Sequence, residues 1–128
     1  MRQDFLALWG PVGLYMALIF GLSSISQFPD VPGTGFEHAD KIVHLLLYGG
    51  LSALIVRARA GGWTKRTTAG VAVSAVIIAT LYGVSDEIHQ HFVPFRQTDA
   101  RDLAADAVGA ALAAGLLYLG IIRRRHEL

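Results

Sequence analysis

The sequence contains no cysteine and unusually few charged residues, and both shortages exclude classes of protein. Without cysteine the chain has no disulfide framework, no thiol nucleophile and no thiolate metal site. Only 16% of its 128 residues are charged, whereas an average soluble domain has about 25%. The net charge of +1 is small, and no basic stripe interleaved with aromatic residues indicates a nucleic-acid partner.

Apolar residues make up 53% of the chain and raise its mean hydropathy to +0.46. A soluble domain of this length could not bury so much apolar surface, whereas a lipid bilayer solvates it. Four apolar stretches predict helices near residues 5–24, 40–57, 68–91 and 99–122. The first stretch runs for about 20 residues without a charge, which is the length of a membrane span. We therefore predict an all-α fold: a four-transmembrane-helix bundle in a single domain, residues 1–128.

Two alternatives apply to individual stretches. The first stretch could be a signal peptide with a small-residue cleavage site at Ser24-x-Ser26. However, it is longer than a usual signal-peptide core, and Arg2 is almost its only basic flank. The short second stretch could be a core helix of a soluble protein. Its three apolar neighbours and the short polar loops between them favour a membrane span instead.

The basic residues are concentrated on one side of the predicted membrane. Of the 11 lysines and arginines, four lie in the loop at residues 57–66 and three form the run at residues 123–125. Arg2 belongs to the same side, and the first outer loop, residues 25–39, has no lysine or arginine. The positive-inside rule therefore places both termini in the cytoplasm, an N-in/C-in topology.

With this topology, an ionisable cluster forms at the extracytoplasmic end of the bundle. The second helix contributes Asp40, His44 and Tyr48, which helical spacing places on one face, one turn apart. Residues from the other two helices and from the short outer loop lie at the same depth. The full set of ionisable and amide residues is Asp40, Lys41, His44, Asp86, Glu87, His89, Gln90, His91, Arg96, Asp102 and Asp106.

Spacing also groups residues on the third and fourth helices. Asp86, His89 and Gln90 are expected to share a face of the third helix. Asp102 and Asp106 are one turn apart, so Asp106 lies about 6 Å deeper along the helix axis.

Asp106 is the acid that the predicted membrane makes most costly. A carboxylate at the membrane centre costs about 2.5–3.5 kcal/mol on insertion scales, and less near the interface. It should therefore face the bundle interior, paired or protonated. The available partners are Lys41, His44 and Arg96. For Asp40 alone or Asp102 alone, capping of a helix N-terminus is an equally good explanation.

The cluster does not contain a recognised metal-binding or nucleophilic motif. Its side chains include ligand types for zinc, but there is no HExxH, and DEIHQH at residues 86–91 is not a recognised zinc spacing. We therefore predict no metal and no other cofactor, with a divalent cation as the less favoured alternative. Ser85 beside Asp86 lacks a Gly-x-Ser-x-Gly elbow, which disfavours a catalytic triad.

Three linked motifs resemble those of the VanZ-like family of small membrane proteins. The first is DKIVH at residues 40–44 followed by Tyr48, and the second is DEIHQHFVPFR at residues 86–96. The third is Asp102, Asp106 and Gly109 at the start of the last helix. The family usually has Gly where this chain has Phe95, and Asn where it has Asp106.

This resemblance implies a multi-pass protein of the bacterial inner, or plasma, membrane. The name-giving member of the family is associated with resistance to the glycopeptide antibiotic teicoplanin. The resemblance therefore implies a role in glycopeptide resistance or in handling cell-envelope lipids. Because function belongs to sites and not to folds, this implication is one of family level only.

We hypothesise a site for an anionic amphiphile at the outer membrane interface. The ligand would be a phospholipid, a lipid-linked wall precursor or a lipoglycopeptide, held at its anionic group by Lys41 and Arg96. His44 with Glu87 or Asp86 would form the acid–base pair in any chemistry, because histidine titrates near physiological pH. The binding residues of this hypothesis are Asp40, Lys41, Tyr48, Gln90, Arg96, Asp102 and Asp106.

The alternative is a non-enzymatic accessory protein whose polar cluster only locks the helices together. Proton or ion conduction is disfavoured, because no polar chain continues from the cluster to the cytoplasmic side. The sequence leaves open whether the protein is an enzyme, and whether it pairs with a second copy of itself.

Overall fold

The computed structural model describes residues 2–24, 39–94 and 99–120, apart from the side chains at positions 2, 39 and 40. These residues form four helices: α1, Arg2–Ser23; α2, Ala39–Ala60; α3, Ala69–His91; and α4, Ala100–Tyr118. The described ranges contain no strand, which confirms the all-helical prediction.

Three of the helices are long and apolar enough to cross a membrane. Their candidate spans are Gln3–Ser23, Lys41–Ala60 and Ala69–His91. The fourth helix has 19 residues and carries three charges, Arg101, Asp102 and Asp106, in its first two turns. It is not among the three candidate spans.

Helices α2, α3 and α4 form the core of the bundle, and α1 lies beside them. In the described residues α4 packs against both α2 and α3, and α1 packs mainly against α2. Small side chains make this close packing possible. A Cβ atom at Gly109 would collide with the backbone of Leu45 on α2. In the same interface, Ser52 of α2 donates a 2.8 Å hydrogen bond to the carbonyl of Ala110, the residue after Gly109.

Local sequence signals determine where α3 and α4 begin and where α2 ends. The side chain of Thr68 accepts a 3.2 Å hydrogen bond from the backbone N–H of Val71 at the start of α3. Asp99 does the same for Arg101 at the start of α4, at 2.9 Å. After α2, Gly61 has a positive φ of 93°, a conformation that glycine adopts without steric cost.

Helix α1 is attached to the core partly through polar side chains. Pro11 has no N–H to donate to the carbonyl of Ala7, four residues earlier in the helix. Arg57 of α2 fills this gap, because its Nη1 donates to Ala7 O at 3.1 Å. Further along α1, the hydroxyl of Tyr82 donates a 2.6 Å hydrogen bond to the carbonyl of Met16.

Candidate functional site

Buried polar side chains gather where α2 begins, α3 ends and α4 begins. The other half of the core is filled by apolar and small side chains, among them Leu51, Ile55, Ala75, Ala79 and Ala114. The polar end buries His44, Asp86, Gln90, Asp102 and Asp106, and Asp106 is 0% exposed. Helical spacing explains why the two ends of the core differ in polarity. Residues three or four positions apart face the core along each helix, and in this chain they are small or apolar at one end and polar at the other.

The innermost ion pair of the cluster joins α2 to α4. His44 Nδ1 lies 2.8 Å from Asp106 Oδ1, within hydrogen-bond distance. The other ring nitrogen, Nε2, is 3.9 Å from Asp102 Oδ2. Asp106 thus faces the bundle interior and is paired, and its partner is one of the three expected from the sequence.

Lys41 forms a second link between the same helices, nearer the rim. Its Nζ donates a 2.6 Å hydrogen bond to Asp102 Oδ1 and lies 3.1 Å from Asp99 Oδ2. The Lys41 side chain is 22% exposed, compared with 8% for Asp102. The ammonium group therefore lies between the buried interior of the cluster and its surface.

The third link joins α2 to α3. The hydroxyl of Tyr48 donates a 3.2 Å hydrogen bond to Asp86 Oδ2. The amide nitrogen of Gln90, one turn along α3, reaches the same oxygen at 3.4 Å. The Tyr48 ring is parallel to that of His44, with 6.3 Å between ring centroids. Asp86 and Gln90 therefore share one face of α3, as their spacing predicts.

Glu87 approaches the cluster from the neighbouring side of α3. It interacts electrostatically with Asp102, His44 and Asp106, and it accepts a backbone hydrogen bond from Asp99. Its Oε1 atom is buried and accepts no hydrogen bond from the residues that the structure describes. The sequence offered Glu87 or Asp86 as the acid beside His44, but the carboxylate that bonds to His44 is that of Asp106.

Two histidines of α3 do not join the group formed by Asp86 and Gln90. His89 stacks on Phe20 of α1, with 4.3 Å between ring centroids, and its Nε2 lies 2.9 Å from Ser24 Oγ. His91 is exposed and packs edge-on against its neighbour Phe92. Three residues separate His89 from Asp86, as in the spacing argument, but the His89 ring contacts α1 and does not bond to Asp86 or Gln90. At about 100° per residue, His89 and Gln90 point to different sides of the helix.

Two of the predicted binding residues have no described side chain. Arg96 lies in the range 95–98, outside the described residues, as does Phe95. Asp40 lies in the first turn of α2, but its side chain is not described. On α2 the described polar face is formed instead by Lys41, His44 and Tyr48.

The sequence reasoning missed Asp99, which caps α4 and binds Lys41. An aspartate at the first position of the predicted helix 99–122, with a basic residue two positions later, is the signal that could have found it. Arg101, through its side chain and its backbone N–H, and then Lys41 hold the pKa of Asp99 well below its ordinary value. Asp99 therefore stays ionised at the rim of the cluster.

The described cluster is suited to acid–base and ion-pair chemistry. In the described parts of the chain, no group of three or more His, Cys, Asp or Glu side chains is arranged to hold a metal ion. When Asp106 is ionised, His44 Nδ1 carries the hydrogen of their bond, and Nε2 is then the nitrogen that can exchange a proton. His44 is thus oriented by one carboxylate and faces another.

The comparisons with known proteins agree with the motif resemblance. The family model described as VanZ/LLP1 matches residues 6–123. No curated protein and no solved structure matches the chain. Since the family model covers most of the sequence, the chain belongs to the VanZ/LLP1 family.

Proposed function

We propose that this VanZ/LLP1 protein crosses the bacterial inner membrane four times and binds an anionic amphiphile at its outer face. The ligand would be a phospholipid, a lipid-linked wall precursor or a lipoglycopeptide such as teicoplanin. Binding would link the protein to glycopeptide resistance or to the handling of envelope lipids. The observation that carries the proposal is Lys41, a partly exposed ammonium at the rim of a buried polar cluster.

The four-span topology is supported by where the charges of α4 lie. Arg101, Asp102 and Asp106 all belong to its first two turns, and the remainder of the helix is apolar. The basic loop at residues 57–66 lies at the opposite end of the bundle from the cluster. Under the positive-inside rule this arrangement puts the loop in the cytoplasm and the cluster outside.

The topology can be tested with single cysteines, because the chain has none of its own. Lys65→Cys and Phe92→Cys place a thiol at exposed positions at the two ends of the bundle. In intact cells, we expect an impermeant maleimide to label the Phe92→Cys protein and to leave the Lys65→Cys protein unlabelled until the membrane is opened. Labelling of both, or only of Lys65→Cys, would contradict the N-in/C-in arrangement.

Binding of an anion at Lys41 is supported by the arrangement of its two carboxylate partners. Asp102 is buried and holds the ammonium at 2.6 Å, whereas Asp99 is 28% exposed and lies at 3.1 Å. A phosphate or carboxylate of a ligand could take the place of the more exposed Asp99 while Asp102 keeps Lys41 in position. Apolar tails would then extend along the lipid-facing helices, so one ligand would match both parts of the surface.

His44 is the residue of the cluster best placed to move a proton. Its Nε2 is directed by the hydrogen bond between Nδ1 and Asp106, and histidine titrates near physiological pH. We therefore assign the acid–base role of any reaction to His44 with Asp106, with Glu87 as the nearby second carboxyl group.

Native mass spectrometry of the protein released from nanodiscs of host lipids tests the binding site. We expect an anionic adduct whose retention falls about tenfold in Lys41→Ala, the size of one lost charge-assisted contact. Lys65→Ala is the matched control, because Lys65 is exposed and at the other end of the bundle. Adding teicoplanin or a wall precursor identifies which class competes. No adduct with any of the three classes would refute the proposal.

A second function, that of a structural accessory protein, is favoured by the direction of the polar contacts. Four side chains of α2 form hydrogen bonds with residues of α3 or α4 and none of these bonds stays within α2: they are those of Lys41, His44, Tyr48 and Ser52. Such a network locks helices together whether or not a ligand binds. Lys41→Ala separates the two functions. Loss of binding in a folded protein supports the site, whereas loss of folding without any ligand effect supports the lock.

A further inference from the structure

Among the described residues, the cluster contains more acidic than basic side chains. Five carboxyl groups belong to it, those of Asp86, Glu87, Asp99, Asp102 and Asp106, and the bases in contact with them are Lys41, His44 and Arg101. The Arg101 side chain is largely exposed and lies against Asp99 at the surface. Of the described bases, two therefore remain for the inner acids, Lys41 and His44. Buried carboxylates require a counter-charge or a proton, so the cluster is built to receive positive charge.

Three buried oxygen atoms of the cluster accept no hydrogen bond from the described part of the protein. They are Glu87 Oε1, Gln90 Oε1 and Asp106 Oδ2. Gln90 is only 1% exposed, and its amide nitrogen is directed at Asp86. Its oxygen therefore needs a donor from outside the pair. All three atoms are acceptors when the acids are ionised, so the group that is missing is a hydrogen-bond donor.

Two of these acceptors lie on the same face of the last turn of α3. Glu87 and Gln90 are three residues apart, which makes them neighbours on the helix surface. The Glu87 carboxylate also accepts a backbone hydrogen bond from Asp99, the residue that caps α4 and binds Lys41. Glu87 is therefore linked through Asp99 to Lys41, and Gln90 is its neighbour on the same face of α3.

A primary ammonium group has the chemistry that these acceptors require. It supplies three donors and a positive charge in a compact group. Lys41 shows that an ammonium fits between carboxylates at this end of the bundle, at 2.6 and 3.1 Å. A metal ion fits less well, because the described residues offer no group of three ligands.

We propose that Glu87 Oε1 and Gln90 Oε1 receive the primary ammonium group of the ligand, whose phosphate lies at Lys41. The ligand class is then an amphiphile with an ethanolamine-type headgroup, in which a phosphate and a primary amine are joined by a short linker. This inference rests on the proposed function for the phosphate and adds the amine.

Lipids that differ only in the amine test this directly. Nanodiscs containing equal amounts of phosphatidylethanolamine, phosphatidylcholine and phosphatidylglycerol present a primary ammonium, a quaternary ammonium without N–H donors, and no amine. In native mass spectra of the released protein, we expect the ethanolamine lipid to be retained about tenfold over the other two, as one charge-assisted hydrogen bond predicts. A glycopeptide amine is distinguished by competition with teicoplanin and with its N-acetylated form.

The preference for the amine should depend on the two acceptors. Glu87→Gln and Gln90→Met should reduce it to near unity while phosphate-dependent retention remains. Gln3→Met, the same change as Gln90→Met at an exposed position of α1, is the control and should keep the preference. A thermal melt of each variant identifies unfolded protein. If Glu87→Gln does not fold, the result for Gln90→Met decides.

The outcomes separate this inference from the proposed function. If all three lipids are retained equally, and Lys41→Ala lowers the retention of each, the amine subsite is overturned and the proposed function stands. An ethanolamine preference that survives in both Glu87→Gln and Gln90→Met would also overturn the subsite. Absence of any Lys41-dependent lipid would refute the proposed function itself.

Discussion

His44 Nδ1 and Asp106 Oδ1 are 2.8 Å apart in the buried interior of the protein, and they join α2 to α4. Their sequence separation is 62 residues, so the contact is made only when the bundle is assembled. Breaking one side of a buried ion pair leaves an uncompensated polar group, which is more costly than the pair itself.

We therefore predict that Asp106→Ala lowers the free energy of unfolding by about 3–5 kcal/mol. His44→Ala should have a similar effect, and the double variant should lose less than the sum of the two. Denaturant unfolding in detergent micelles measures the three values, and a coupling of about 0.5–3 kcal/mol is the expected range for contacting residues. Strict additivity of the two changes would contradict the pair.

The hydrogen bond from Tyr48 to Asp86 gives a second prediction. Tyr48→Phe keeps the buried ring and removes only the hydroxyl that donates at 3.2 Å to Asp86 Oδ2. We expect a loss of about 1.5–3 kcal/mol, as for hydrogen bonds to charged groups. Tyr118→Phe is the matched control, because Tyr118 is exposed on α4. Equal effects of the two substitutions would show that the buried hydroxyl contributes nothing.

Close packing of α2 and α4 gives a third prediction. An alanine at position 109 would place its Cβ against the backbone of Leu45, which cannot move away as a side chain can. Gly109→Ala should therefore destabilise the protein by about 1–3 kcal/mol through overpacking. Gly115→Ala lies on the same helix with nothing within 4 Å of its added Cβ. It should be neutral or stabilising by up to about 1 kcal/mol, since alanine favours helices.

The contact between Arg57 and Ala7 gives a fourth prediction. Pro11→Ala restores the N–H that bonds to the Ala7 carbonyl within α1, so Arg57 is no longer needed there. Arg57→Ala should therefore destabilise the wild-type protein by about 1 kcal/mol or more. It should have a smaller effect in the Pro11→Ala background. Arg59→Ala, at an exposed position of the same helix, is the control. If Arg57→Ala lowers the free energy of unfolding equally in both backgrounds, Arg57 does not replace the N–H donor that Pro11 lacks.

Asp99 should make the stability of the protein depend on pH in the acidic range. Arg101 and then Lys41 hold its pKa below the ordinary value in the folded protein. A depressed pKa contributes stability that is fully present above the ordinary aspartate pKa, near 4. That stability is lost as the pH falls through the lower, folded-state value. Asp99→Asn keeps a helix cap and removes the charge, so its melting temperature should fall less between pH 5 and pH 2, about the window where this carboxylate titrates. Parallel curves for the two proteins would contradict this assignment.

The positions of the helices and of the polar end were predictable from local properties of the chain. Long apolar stretches predict helices because only helical backbone satisfies its own hydrogen bonds in lipid. The cost of placing a carboxylate among apolar residues predicted that Asp106 would face inward and find a basic partner, and His44 is that partner. Spacing of four residues placed Asp86 and Gln90 on one face, and both are buried there.

The pairing of side chains between helices was not predictable in the same way. Spacing determines which residues share a face, but the rotation of each helix about its axis depends on how the neighbouring side chains pack. This is why His89 contacts Phe20 and Ser24 of α1 instead of joining Asp86. It is also why Lys41 reaches Asp99, a residue 58 positions away that the sequence presents only as a helix cap.

The sequence by itself therefore determined an all-helical, apolar chain of the VanZ/LLP1 family with a cluster of acids and histidines at one end and basic residues at the other. Only the tertiary structure decided that Asp106 and not Glu87 holds His44, and that Lys41 lies between Asp99 and Asp102. In the same tertiary structure, one side-chain oxygen of Glu87 and one of Gln90 accept no hydrogen bond from any described residue. The physical reason is that hydropathy and helical period act along the chain. Ion pairs and unfilled acceptors depend on distances across the bundle, which close packing of small residues such as Gly109 sets.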